Sequence, residues 1–146
     1  MKLQLGTGNN PLEGYVNCDL TKHRPEIDFA FDLEKDWPSQ YDNFFEEIVA
    51  YDVIEHLNDP VKFLDKCWNS LLLKGILNLK ACGWRNPNFN IDPTHKHAYD
   101  IKSFDYFDPD TELGREYGFY TNKRWKILEK HWDRHMNVII KMTPRK

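Results

Sequence analysis

Gly6 and Gly8, the carboxylates of Asp19 and Asp32, and the group Asp92, His95, His97 and Tyr99 are the residues here whose types and spacing could do chemistry. Glycine tolerates positive φ and lets a ligand approach the backbone. Gly6-Thr7-Gly8, placed after the apolar run Leu3–Leu5, could therefore cradle a small polar molecule. A dinucleotide fingerprint would put its third glycine at position 11, where Pro11 stands. Alone, the stretch reads equally well as a turn joining two strands. Asp19 follows Gly8 by eleven residues. A strand-end carboxylate can accept hydrogen bonds from both hydroxyls of a ribose, although nicotinamide-binding chains place that acid about twenty residues on. By itself Asp19 reads as a turn cap. Asp32, with Leu33 beside it, suits the amino edge and face of a purine. The glycines, Asp19 and Asp32 close three successive expected strands at one sheet edge, and the series carries a reading that no single member does.

Further along, Ala50 and Tyr51 would offer backbone groups to a ligand's polar end. Glu55 and His56 read first as a polar pair that fixes a turn and second as catalytic groups. The densest polar stretch is Asn90–Phe107. Histidine titrates near neutrality and is the usual general base for a hydroxyl or amine. His95 reads as that base or as a substrate contact, and His97 as part of the loop. Asp92, His95 and His97 suggest a metal set, but no further spaced ligand completes it and Asp-Pro-Thr is an ordinary turn. No metal is expected. A nucleophile elbow of the G-x-S-x-G type is absent.

These residues need elements to hold them. Leu3–Leu5 and Tyr15–Leu20 read as strands, as do the alternating Asp28–Leu33 and the compact Glu47–Tyr51. Asp59 and Pro60 are a good cap and first residue for a helix. Its apolar face would hold Val61, Leu64, Cys67, Trp68, Leu71 and Leu72, with Lys74-Gly75 as the stop. Ile76–Ala81 is the fifth strand, and Asp100 caps a short helix turning Ile101, Phe104 and Phe107 inward. Trp125–Lys130 and Met136–Met142 flank the short polar "DRH", which forces antiparallel neighbours. The pattern predicts an α/β fold: a Rossmann-like, mostly parallel sheet with a C-terminal antiparallel hairpin strand and a first helix reduced or absent. In such sheets ligands sit beyond the carboxyl ends of the strands.

The 146 residues suffice for one domain, 1–146, with an ordinary core. A net charge of -3 argues against sequence-independent nucleic-acid binding, which needs a cationic surplus. No apolar run approaches membrane-spanning length, no signal-peptide pattern is seen, and three cysteines without CxxC spacing fit reduced thiols in the cytoplasm.

Together "LQLGTGNNPLEGYVNCDL", "FDLEKDWP", "EEIVAYDVIEHLNDPVKFLDKCWNSLLLKGILNLK" and "DPTHKHAYDIKSFDYF" resemble class I S-adenosylmethionine-dependent methyltransferases, most closely the type 11-like branch. The resemblance runs from Lys2 to about Met142. It implies S-adenosyl-L-methionine as cofactor, with Leu5, Gly6, Thr7 and Gly8 wrapping its methionine part and Asp19 on the ribose diol. Leu20 would lie against the adenine, Asp32 and Leu33 would meet the adenine edge, and Ala50 with Tyr51 would meet the methionine end. Asp92, His95 and Tyr99 would face the substrate. This cofactor carries no phosphate, so its turn needs close backbone approach more than a helix dipole.

Two departures stand out. Gln4 occupies the position, two before the first glycine, where the family often has an acid, and the chain opens directly on the first strand without lid helices. One sheet face would then be under-covered, to be met by a second copy or a partner subunit, with Trp37, Trp84 and Phe89 as the contact candidates. The N/D-P-P-Y motif of base-amino methyltransferases is absent, which favours methylation of a small-molecule or sugar-like acceptor on oxygen or nitrogen. The alternative implied is a catalytically silent cofactor binder. A nicotinamide oxidoreductase is disfavoured by the short Gly8-to-Asp19 spacing.

Overall fold

Leu3 and Leu5 alternate with Lys2 and Gln4, and this period of two makes Lys2–Leu5 the first strand, β1, in the computed structural model, which describes Met1–Lys146. It is followed by β2 (Val16–Asp19), β3 (Phe29–Ala30), β4 (Phe45–Tyr51), helix α1 (Pro60–Ser70) and β5 (Leu71–Cys82). Two short helices, α2 (Asn88–Ile91) and α3 (Glu112–Glu116), precede the strands β6 (Trp125–Trp132) and β7 (Asn137–Pro144). Single turns of 3-10 helix at Ser39–Tyr41, Ile54–His56, Asp105–Phe107 and Gly118–Tyr120 fill the connections.

All seven strands form one sheet in the order β3-β2-β1-β4-β5-β7-β6. Strands β1 to β5 run parallel, and β7 runs antiparallel to both β5 and β6. The expected Rossmann-like sheet with one reversed strand is therefore the observed one. Residues 6–15 cross from β1 to β2 without a helix.

The two sheet faces differ in kind. Leu3, Leu5, Cys18, Ile48, Ala50, Leu77, Leu79, Val138 and Ile140 point to one side, where Phe63, Leu64 and Cys67 of α1 complete the core with Phe104 and Trp125. The other side shows a cross-strand row of Asn17, Gln4, Val49, Asn78 and Lys141. It is stitched by Lys2–Glu47 at 3.0 Å and by Asn78, which donates to Glu47 Oε1 at 2.8 Å. A sheet with one polar face needs no helical cover there. Gln4 donates through Nε2 to the Asn10 carbonyl (2.9 Å) and accepts from Leu12 N–H at Oε1 (2.8 Å), while Asn17 exchanges hydrogen bonds with the Leu12 backbone. These two amides clamp the crossover loop onto the sheet. A carboxylate at position 4 could accept but not donate, so the departure from the family pattern serves the short crossover.

Several expected boundaries shift. Asp59 caps α1 as anticipated, accepting from Lys62 N–H at 2.8 Å. The helix ends at Ser70 rather than at Lys74-Gly75, because Asn43 and Phe44 N–H groups take the carbonyls of Asn69 and Ser70 and draw the chain into β5. Phe45 pairs with Leu71 but Glu47 with Ile76, so residues 72–75 bulge outward; Leu72 and Leu73 are exposed, and Lys74 turns at φ 68°. β3 holds only two residues, not Asp28–Leu33: Asp28 accepts from Asn17 N–H through its side chain, and the turn begins after Ala30. Asp100 caps a turn at Lys102 N–H, and Phe104 and Phe107 are buried, but only a 3-10 turn follows. Trp37 is no open contact candidate: it packs edge-on to Phe31 and Phe63, and its indole donates to the Leu33 carbonyl.

Candidate functional site

Two groups of residues meet at the carboxyl edge of the sheet. The first is built on the ends of β1, β2 and β4. Gly6 and Gly8 both take positive φ, +61° and +56°. A Cβ on Gly6 would stand 2.3 Å from Val53 Cγ2, whereas one on Gly8 would meet nothing within 4 Å. Gly6 is thus required by packing, and Gly8 opens onto free space. Thr7 points both its N–H and its Oγ1 at the Cys18 carbonyl, each at 3.1 Å, which ties the turn to β2. Asp19 Oδ2 accepts from Gly8 N–H (2.6 Å) and Oδ1 from Leu20 N–H (2.7 Å). His23, which sequence reasoning passed over, sets Nε2 3.1 Å from the Gly8 carbonyl.

Leu5 and Ala50 are buried beneath this edge, while Tyr51 and Leu20 are exposed upon it. Asp52, at φ 58°, holds Lys80 at 2.6 Å, and the Lys80 ammonium lies over the Tyr51 ring. Asp32 and Leu33 lie in the turn two and three residues past β3. The Asp32 carboxylate caps Glu34 N–H (2.9 Å), and the Leu33 carbonyl accepts from Trp37 and Lys66. The structure thus brings Leu5–Gly8, Asp19, Leu20, Ala50 and Tyr51 to neighbouring strand ends, with Asp32 and Leu33 on the adjoining turn.

The second group follows β4. Glu55 is only 1% exposed; its Oε1 accepts from Cys82 N–H (3.2 Å) and its Oε2 is buried with no partner. Burial, reinforced by Asp52, pushes its carboxyl up to about 7, against a smaller opposing pull from Lys80 and from hydrogen bonds to the charged form. The Glu55 carbonyl accepts from Lys96 and His97 N–H, which folds the loop 92–97 over it. This brings the His95 ring within 4.6 Å of the His56 ring and against Phe89. The His95 side chain is 3% exposed, with Nε2 3.6 Å from Asp92 Oδ2 and Nδ1 buried and unpartnered. His56 Nδ1 lies 2.9 Å from Thr94 Oγ1, and burial lowers its pKa. Two hydrogen bonds from Thr94 hold the Asp92 carboxyl below its usual range. Tyr99 stands apart from the opening: it is buried, stacks on Phe104 and donates its hydroxyl to the Ile54 carbonyl. His97 Nε2 is buried and unpartnered too.

No protein-family model matches the chain, and no curated protein is similar to it in sequence. Solved structures are similar in fold. The complex between the Haloferax volcanii Trm112 methyltransferase activator and its methyltransferase aligns at a TM-score of 0.69 and 10% identity, over 99% of this chain and 82% of that one. An S-adenosylmethionine-dependent methyltransferase from Archaeoglobus fulgidus aligns at 0.61 and 14%, over 97% and 85%. The chain has the class I methyltransferase fold.

Identities of this size speak for architecture alone. The trans-methyltransferase CalH, solved with S-adenosylhomocysteine, aligns at 0.59 and 14% over 99% of this chain, which spans about half (51%) of CalH. Within the methyltransferase fold, both residue groups lie past the carboxyl ends of strands, where an open α/β sheet receives its ligand. No helix of the chain is long and apolar enough to cross a membrane.

Proposed function

We propose that the chain binds S-adenosyl-L-methionine across the carboxyl ends of β1 to β4 and moves its methyl group to a small-molecule or sugar-like acceptor, on oxygen or nitrogen. The observation that carries this is the Asp19 carboxylate, oriented by Gly8 and Leu20 N–H beside a Gly8 that faces open space. Each carboxylate oxygen keeps accepting capacity, so two ribose hydroxyls can bind without displacing the backbone donors. Leu5, Gly6, Thr7 and Gly8 enclose the methionine part, Leu20 lies on the adenine, Asp32 and Leu33 meet its edge, and Ala50 with Tyr51 meet the methionine end. The acceptor attacks the methyl carbon in line, the carbon–sulfur bond breaks, and its electron pair stays on the sulfur of S-adenosylhomocysteine. The protein's task is alignment. The acceptor's proton leaves at the corner of Glu55, His56 and His95, with Asp92 positioning His95 and Tyr99 supporting the turn from beneath.

Calorimetric titration with S-adenosylhomocysteine tests this. Asp19→Ala should weaken binding about a hundredfold, the loss of hydrogen bonds to a charged acceptor. Unchanged binding, or no heat with the folded wild-type chain, would overturn the reading.

A second reading, a cofactor-binding subunit that works with a partner, is favoured by one feature. An apolar cavity of about 440 Å3 lies between β1–β3 and residues 37–45, with exposed Phe29 and Phe44 on its wall. One similar structure is itself a complex with an activator. The isolated chain would then bind S-adenosylhomocysteine yet form none from S-adenosyl-L-methionine across an acceptor panel.

A further inference from the structure

We propose that Glu55, His56 and His95 form a binding site for a divalent transition-metal cation. One ligand atom from each of these residues can be chosen so that all lie within 4.8 Å of one another. Two histidines and a carboxylate are a donor set suited to zinc, manganese, iron or cobalt rather than to magnesium or calcium, which prefer all-oxygen surroundings.

The hydrogen bonds around the cluster dispose its lone pairs for this use. A threonine hydroxyl has a single proton, and Thr94 Oγ1 donates it to Asp92 Oδ1 at 2.7 Å. His56 Nδ1, 2.9 Å from the same oxygen, must then be the donor there, which leaves the lone pair of a neutral ring on Nε2. Asp92 Oδ2 faces His95 Nε2 and favours the proton on that nitrogen, so the lone pair of His95 falls on Nδ1, the atom left buried without a partner. Glu55 repeats the pattern, with Oε1 held by Cys82 N–H and Oε2 buried and free. One carboxylate, Asp92, thereby sets both imidazoles, directly and through Thr94, as outer carboxylates do for metal-binding histidines. Buried polar atoms without partners are costly, and two of them in one cluster offer the lone pairs that a cation would satisfy. The cation site stands independently of the cofactor reading. Only its use rests on that reading: with the cation bound, the lone pairs of these three residues are engaged, and an acceptor oxygen held on an open coordination position beside the methyl donor would lose its proton to water rather than to the histidines.

The test uses the full chain after chelation and dialysis, titrated with cobalt(II) chloride and followed by visible absorption. Calorimetry with manganese(II), zinc(II) and magnesium chloride runs alongside. One cobalt ion per chain with ligand-field bands is expected, and magnesium should bind far more weakly. Glu55→Gln and His56→Ala should each abolish the bands, Asp92→Asn should weaken binding about tenfold to a hundredfold, and His131→Ala on β6 should change nothing. Absence of stoichiometric cobalt binding, or wild-type affinity in both ligand variants, would overturn the proposal. If Glu55→Gln fails to fold by circular dichroism, the half-exposed His56 decides. Titration of the same preparations with S-adenosylhomocysteine separates loss of this site from loss of the cofactor site.

Discussion

Glu55 sits buried behind the strand-end corner, and that burial favours the neutral acid. In the metal-free chain its carboxyl is raised from 4.5 to about 7. Below about pH 4.5 folded and unfolded chains are both protonated at this group. As pH rises toward 7 the unfolded chain ionises first, so stability falls, by order of magnitude ~3 kcal/mol once pH exceeds the folded value. Denaturant unfolding with chelator from pH 4.5 to 8 should show that decline, and Glu55→Gln should flatten it. His56, shifted down by burial, slopes the other way but is common to both proteins. Gly6 is fixed by packing rather than by a ligand: Gly6→Ala meets Val53 and positive φ together, and should cost about 2 kcal/mol or more of stability, partly recovered in a Val53→Ala background. The first of these residues was hidden in the sequence and the second was not. Gly6 and Gly8 do take the positive φ that glycine permits, and Asp19 answers Gly8 N–H, so the spacing of glycines and strand-end carboxylate was legible as a series though not residue by residue. Glu55-His56 looked like a turn pair, because its burial depends on a loop forty residues further on folding back over it.

At the scale of elements, strand periodicity and helix caps were legible and element ends were not. Asp59-Pro60 marks the start of α1 through a local hydrogen bond, and Asp59→Ala should lower the melting free energy by about 1 kcal/mol. The helix ends earlier than its pattern suggests: Leu71, Leu72 and Lys74-Gly75 continue a helical spacing, while backbone donors of residues 43 and 44, remote in sequence, close it at Ser70. β3 shrank for a similar reason: alternation in Asp28–Leu33 is real, but an edge strand held by a single neighbour keeps only the pairs it needs. The crossover clamp makes a sharper prediction. Gln4→Leu removes both bonds to the loop, leaving the carbonyl of Asn10 to find water and the amide of Leu12 with only its longer bond to Asn17 Oδ1, so thermal unfolding should show a loss of about 1–3 kcal/mol. Gln4→Glu should recover only the bond from Leu12.

Over the whole molecule, a seven-stranded sheet packs its core on one side and carries a polar cross-strand row on the other, where Gln4, Asn17 and Val49 are buried and Asn78 and Lys141 half-buried. If S-adenosylhomocysteine binds the folded chain alone, saturation at a hundred times its dissociation constant adds about 2.7 kcal/mol and should raise the melting temperature by roughly 5–10 °C. The Asp19→Ala protein should show almost none of that rise. Because Gln4 and Asn17 hold the crossover from beneath at Asn10 and Leu12, the exposed residues Asn9 and Glu13 lie outside the clamp. Extra residues spliced in there would lengthen a surface excursion at small entropic expense, leaving the strand tips undisturbed. Such a minimal sheet is therefore a natural chassis on which helices could be grafted one at a time.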